Sequence, residues 1–143
     1  MGQQQLLLII LGVIVVGIAV AVGITLFKDN AVSSNRDAVT NDLVNIASHA
    51  QQYFRRPLAL GGGAGDFSSL TADAAGLKRL TSMTGGVNAN GTYKILTAGT
   101  SGPGGKVVLQ GLGTETGNDG SSPVKVVMNV WADSAKVDNT QTN

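Results

Sequence analysis

The sequence predicts an α+β protein, in which one long N-terminal helix packs on a C-terminal antiparallel sheet of three or four strands. Three observations lead there. A helical pattern runs unbroken from about Gln3 to Arg56, apolar all round in its first half and amphipathic in its second. Beyond Asn90 the pattern changes to alternation of apolar and polar residues, the two-residue period of a strand. The turns between these alternating runs are short and glycine-rich, and short connections favour antiparallel neighbours.

The first element is set by Leu6 to Phe27, 22 consecutive residues without a charge. At a rise of about 1.5 Å per residue this run reaches roughly 33 Å, enough to cross a hydrocarbon core of roughly 30 Å. Its flank is Gly2-Gln3-Gln4-Gln5, with no Lys or Arg, and the run is longer than the apolar part of a secretory signal. The segment therefore reads as retained. Residues 1–27 form the expected membrane or filament-core part of the helix.

Residues 28–56 continue the helix with a different character. Val32, Val39, Leu43, Ile46, Ala50 and Tyr53 recur at spacings of seven, four, three, four and three, a stripe along one helical face. Asp29, Asn30, Arg36, Asp37, Asn41, Asp42, Asn45 and Gln52 fill the other sides. Neither proline nor glycine interrupts Lys28 to Arg56, and Pro57 closes the helix because its ring disfavours the α conformation of the residue before it. A tethered domain usually hangs from a flexible linker. Here the stripe begins directly after the apolar run, so the helix is expected to enter the core of the head.

That head is residues 57–143. Gly61-Gly62-Gly63-Ala64-Gly65 reads as a surface loop, since it lacks the Lys-Ser/Thr ending and preceding strand of a phosphate loop. Ser68 or Thr71 is a possible cap for a short helix through about Arg79, with Leu70, Leu77 and Leu80 inward. Three strands follow: Tyr93 to Thr97, Lys106 to Gln110, and Val124 to Trp131, the last with the clearest alternation. Asn90-Gly91, Ser101 to Gly105 and Gly117 to Gly120 supply the turns. The stripe of Val39, Leu43, Ile46, Ala50 and Tyr53 is the apolar surface long enough to cover one face of the sheet.

Composition limits the function. The 143 residues carry 10 basic and 9 acidic side chains, a net charge of +1, which gives no overall electrostatic footprint for nucleic acid. The absence of cysteine excludes disulfides, thiolate metal sites and a cysteine nucleophile. One histidine, His49, and one glutamate, Glu115, leave little for acid–base chemistry. No nucleophile–base pair or paired carboxylates stand out, so an enzyme is not expected, nor is a cofactor. Asn118-Asp119-Gly120 with Glu115 nearby offers two carboxylates, short of the six to eight oxygens of a calcium site, and no metal is expected. Asn90-Gly91-Thr92 matches an N-glycosylation sequon.

Within the apolar run, Gly12, Gly17, Ala19 and Gly23 are small residues, and Ala19 and Gly23 are spaced so that two helices can approach closely. The two later glycines are also where the rod is expected to loosen, at roughly 1 kcal/mol of helix propensity each.

This arrangement resembles the type IV pilins and the pseudopilins of type II secretion, on residues that lie mostly in 1–57. The resemblance implies that Met1 stands at the first position of the mature subunit, where the family often has a methylated Phe or Met. Gln5 occupies the position of the family's glutamate, and the apolar half lacks the proline that many members have there. The family glutamate meets the N-terminal amine of a neighbour in the filament core. A carboxamide accepts a hydrogen bond from that amine without cancelling its charge. The resemblance thus implies a major pilin, a structural subunit of an extracellular helical filament. Its partners are many copies of itself, the inner membrane before assembly and a pilus-type assembly machinery, and nucleic acid is not expected. The alternatives are a single-pass anchored domain that binds a partner as a monomer, and a pseudopilin of a secretion system.

Overall fold

The computed structural model describes residues 2–140 and 142–143. Its first element is a single helix, α1 (Gly2–Arg55), of 54 residues, roughly 80 Å long if straight. A 3-10 turn at Leu58–Leu60 and a short helix α2 (Ala74–Lys78) lead through a second 3-10 turn at Thr84–Gly86 into the sheet. The four strands are β1 (Gly91–Thr97), β2 (Lys106–Thr116), β3 (Pro123–Trp131) and β4 (Ala135–Val137). They lie in the order β1-β2-β3-β4, each antiparallel to the next. The layout is the α+β arrangement that the sequence predicts.

The outer half of α1 is one wall of the core. Val39, Leu43, Ile46, Ala50 and Tyr53 are all buried, joined by Ala47, while Val32 is half-buried at the edge. Opposite them stand Tyr93 and Ile95 of β1, Val107 and Leu109 of β2, and Val124, Val126, Met128 and Val130 of β3. Leu70, Leu77 and Leu80 close one side, as their spacing suggests.

Two features differ from the sequence reading. The second strand runs to Thr116 rather than stopping at Gln110. Its extension carries Gly111 and Gly113 on the face turned to the helix. A Cβ on Gly111 would stand 2.5 Å from Val39 Cγ1, and one on Gly113 would collide with Asn35 Oδ1. These glycines let backbone and helix meet, the usual reason for glycine inside a strand. The cap of α2 is neither Ser68 nor Thr71 but Asp73, whose carboxylate accepts from Gly76 N at 2.8 Å and from Thr71 Oγ1 at 2.7 Å. Thr71 thus orients the cap.

The glycine-rich loop is a lid on the end of α1. Gly63 N donates to Tyr53 O at 2.8 Å, Ala64 N to Arg56 O at 2.9 Å, and Gly65 N to Phe54 O at 2.7 Å. These amides satisfy carbonyls that every helix end leaves open. Gly62 and Gly63 are buried, and a Cβ on either would strike the backbone of Arg56 or Asp66. Phe67 then packs on Phe54, ring centroids 4.7 Å apart. Gly61 N and Gly62 N donate to Leu58 O and Pro57 O, so every amide of the loop that could have cradled a phosphate is bonded to backbone.

A fragment beginning at Lys28 is expected to fold, since no buried residue of α1 precedes Val39. In it, Leu43→Ala or Ile46→Ala should each cost about 2–5 kcal/mol, as buried large-to-small changes do. Gly111→Val should cost about 1–3 kcal/mol by overpacking. Urea midpoints equal to the parent in all three variants would refute the helix–sheet packing.

Candidate functional site

The surface that sequence reasoning singles out for assembly is the inner half of α1. Its large side chains, from Leu6 to Phe27, are 52–79% exposed. α1 is long and apolar enough there to cross a membrane. An exposed apolar surface of this extent marks a contact with lipid or with protein. Gln5 is exposed on the same rod, and Met1 lies outside the described residues. Gly12, Gly17 and Gly23 have nothing within 4 Å of where a Cβ would sit, and Ala19 is exposed. Within one chain these small residues therefore pack on nothing. The helix continues unbroken through Gly17 and Gly23, where glycine propensity predicts loosening.

The rod is held to the head by the stripe already described and by polar ties that the sequence does not reveal. Asp42 stands on the flank of α1 facing the start of β1. Its Oδ2 accepts from Asn88 Nδ2 at 2.8 Å, Asn90 Nδ2 at 2.8 Å and Tyr93 Oη at 2.6 Å. Burial alone would raise the Asp42 carboxyl, but the bonds from Tyr93, Asn90 and Asn88 outweigh it and hold the group below its ordinary value of 3.8. Tyr93 moves upward, first because it is buried and then because Asp42 accepts its proton in a hydrogen bond. Asn35 donates to Asn90 O at 3.0 Å and to Thr114 Oγ1 at 3.3 Å. Arg36 Nη2 donates to Asn143 O at 2.6 Å. Further along, Gln51 Nε2 donates to Trp131 O at 3.3 Å. Asp42 and Arg36, which by pattern belong to the polar side of the helix, are thus fasteners, and Asn35 is a third.

The remaining candidates fall apart as sites. His49 is exposed on α1. Among the described residues no group of three or more His, Cys, Asp or Glu is placed to hold a metal. Asp119 is engaged in its own turn: its Oδ1 accepts from Ser121 N at 3.1 Å and Ser122 N at 3.0 Å. Bonds from the Ser122 side chain and then from these amides hold the Asp119 carboxyl at about 2. Asn90 of the sequon is half-buried, with its amide nitrogen committed to Asp42.

Where the rod enters the head, a cleft of about 710 Å³ opens between α1 and the tip of the β2–β3 hairpin. Phe27, Ala31 and Val32 form its apolar wall, and Glu115, Asn118, Lys28 and Asp29 contribute polar groups. The cleft begins at the last residue of the apolar run.

The Asp42 tie has a pH signature. A carboxyl whose folded value is depressed adds stability above its unfolded value, and that stability is lost as pH falls through the folded value. The fragment from Lys28 should therefore lose stability below about pH 4. Asp42→Asn should cost about 1–3 kcal/mol at neutral pH, and the gap to the parent should narrow as pH falls. A gap independent of pH, followed by urea unfolding between neutral and strongly acid solution, would show that the charge is not what ties the strand to the helix.

No known family model matches this chain, and neither characterised proteins nor solved structures give a match.

Proposed function

We propose that this chain is a structural subunit of an extracellular helical filament of the type IV pilus class, inserted in a membrane through Leu6 to Phe27 before assembly. The observation that carries the reading is the junction between rod and head. A fully exposed apolar helix runs without a linker into the core of a folded head, as one piece. An anchor needs only a tether. A rigid rod fixed in its head is what a polymer needs if the rods are to bundle and the heads are to be held in register around them.

In this reading the same apolar surface serves twice. It faces lipid in the waiting subunit and faces identical helices in the filament, so the transfer is nearly neutral in hydrophobic free energy. Work from an assembly machinery then decides the direction. The small residues Gly12, Gly17, Ala19 and Gly23 set how closely neighbouring rods approach. Gln5, as the resemblance implies, accepts a hydrogen bond from the terminal amine of a neighbouring subunit. Architecture supports this function by analogy, and the exposed rod supports it by its chemistry.

The test is electron microscopy of material sheared from the cell surface, with mass spectrometry of the fibres. Fibres containing this chain support the reading, and their absence from expressing cells points to the anchored domain. Gly17→Leu and Gly23→Leu should leave the membrane level unchanged and reduce filament yield strongly, because overpacking of about 1–3 kcal/mol recurs at every subunit. Gln5→Leu should act in the same direction but more mildly. Normal yield from both glycine variants would refute close packing of the rods.

A further inference from the structure

The face of the sheet turned away from α1 carries basic residues around a centre of Val108, Gln110 and Val127 that is buried within the chain. Each strand places one lysine there, Lys94, Lys106, Lys125 and Lys136, at positions alternating with inward residues such as Tyr93, Val107, Val126 and Val137. With strands about 4.8 Å apart and a rise of about 3.3 Å per residue, the four stems spread over roughly 14 by 20 Å. Three are exposed and Lys125 is half-buried. Asp138 offsets one of these charges, and it accepts from Asn129 Nδ2 at 3.5 Å and from Thr140 Oγ1 at 2.6 Å. The opposite sign collects at the β2–β3 hairpin tip. Glu115 and Asp119 are exposed there and Asp29 faces the tip across the cleft, three carboxylates against two cations, Lys28 and Arg36, the latter held on Asn143, which in turn donates to Asp119.

The whole chain is nearly neutral at +1, so charge is segregated between two surfaces rather than in excess. A binder of foreign polyanions is expected to carry a net surplus. Two unlike surfaces that match in charge define a heterologous contact, which repeats from copy to copy and gives an open helix when it does not close into a ring. We infer that the basic sheet face of one copy receives the Glu115–Asp119 hairpin tip of the next copy. This rests on the filament reading and adds to it a contact between heads, separate from the contact between rods. The interaction is between exposed charges, so it fixes register more than it adds cohesion.

The absence of native cysteine makes the test direct. In the full chain, assembled in cells, Asn118→Cys marks the hairpin tip, and Thr97→Cys or Ser134→Cys marks an edge of the basic face. Thr97 pairs with Val108, so within one copy it lies roughly 30 Å from the tip along the strands, out of reach of a short bismaleimide. The expected result is a ladder of cross-linked dimers, trimers and higher species for at least one double variant, and none for the single variants. The ladder should disappear when the four lysines are changed to Gln. It should also disappear in filaments treated at about 1 M salt, where the screening length is roughly 3 Å. Sedimenting filaments without a ladder would overturn the head contact and leave the filament reading standing. A ladder that stops at dimers, or one indifferent to the lysines, would overturn it too. Loss of duplex-DNA binding in the four-Gln variant, with no ladder in its parent, would assign the face to a polyanion instead. Absence of any filament would remove both proposals together.

Discussion

The structure depends on one constraint: the helix that carries the apolar rod is also a wall of the head's core. Val39, Leu43, Ile46, Ala47, Ala50 and Tyr53 are buried on α1 against a sheet whose inner face has, among the described residues, no other cover of that length. The helix cannot leave the sheet without exposing that face, and the head cannot swivel on the rod without bending an α-helix. Everything distal to it serves the same joint. The glycine-rich loop caps the helix end, Asp42 and Asn35 fasten the first strand and the turn before it, and Arg36 holds the C-terminal segment that runs beside β3.

That segment also shows how the sheet edge is managed. After β4, Asp138 N donates to Val127 O at 2.8 Å and Asn143 N to Lys125 O at 3.1 Å, while Asn143 Oδ1 accepts from Lys125 N at 2.7 Å. The residues past the last strand thus keep satisfying the backbone of β3, whose polar groups would otherwise form a template for another chain. Short β4 with exposed Lys136 completes the edge.

The parts legible in the sequence are those written as periodicity. The stripe at spacings of seven, four, three, four and three could lie only on a helix, and the alternation from Val124 to Trp131 only on a strand. What stays hidden depends on distance in space. Gly111 and Gly113 break the strand pattern when read locally, yet they are there because α1 crosses at that point. Asp42 reads as a solvent-side residue because its partners Asn88, Asn90 and Tyr93 lie 46 to 51 residues away. The loop from Gly61 to Gly65 signals only permissive backbone; that the backbone folds onto the carbonyls of α1 follows from its position after Pro57. Segregation of charge is hidden for a related reason: a net charge is a sum, and alternation on four separate strands is needed to see four lysines share a face. The small residues of the rod are legible as a pattern, and a single chain gives them nothing to touch.

Continuity of the rod and head is the central claim, and a distance measurement tests it most directly. Spin labels at Ala21→Cys and His49→Cys, both exposed positions on α1, bracket the passage from apolar run to core in a chain with no other cysteine. For one straight helix the 28 intervening steps span roughly 42 Å at about 1.5 Å each. Pulsed electron–electron double resonance on the full chain in detergent micelles should give a single narrow distribution near that value. A broad or markedly shorter distribution would mean a hinge between rod and head, and would contradict a rigid subunit.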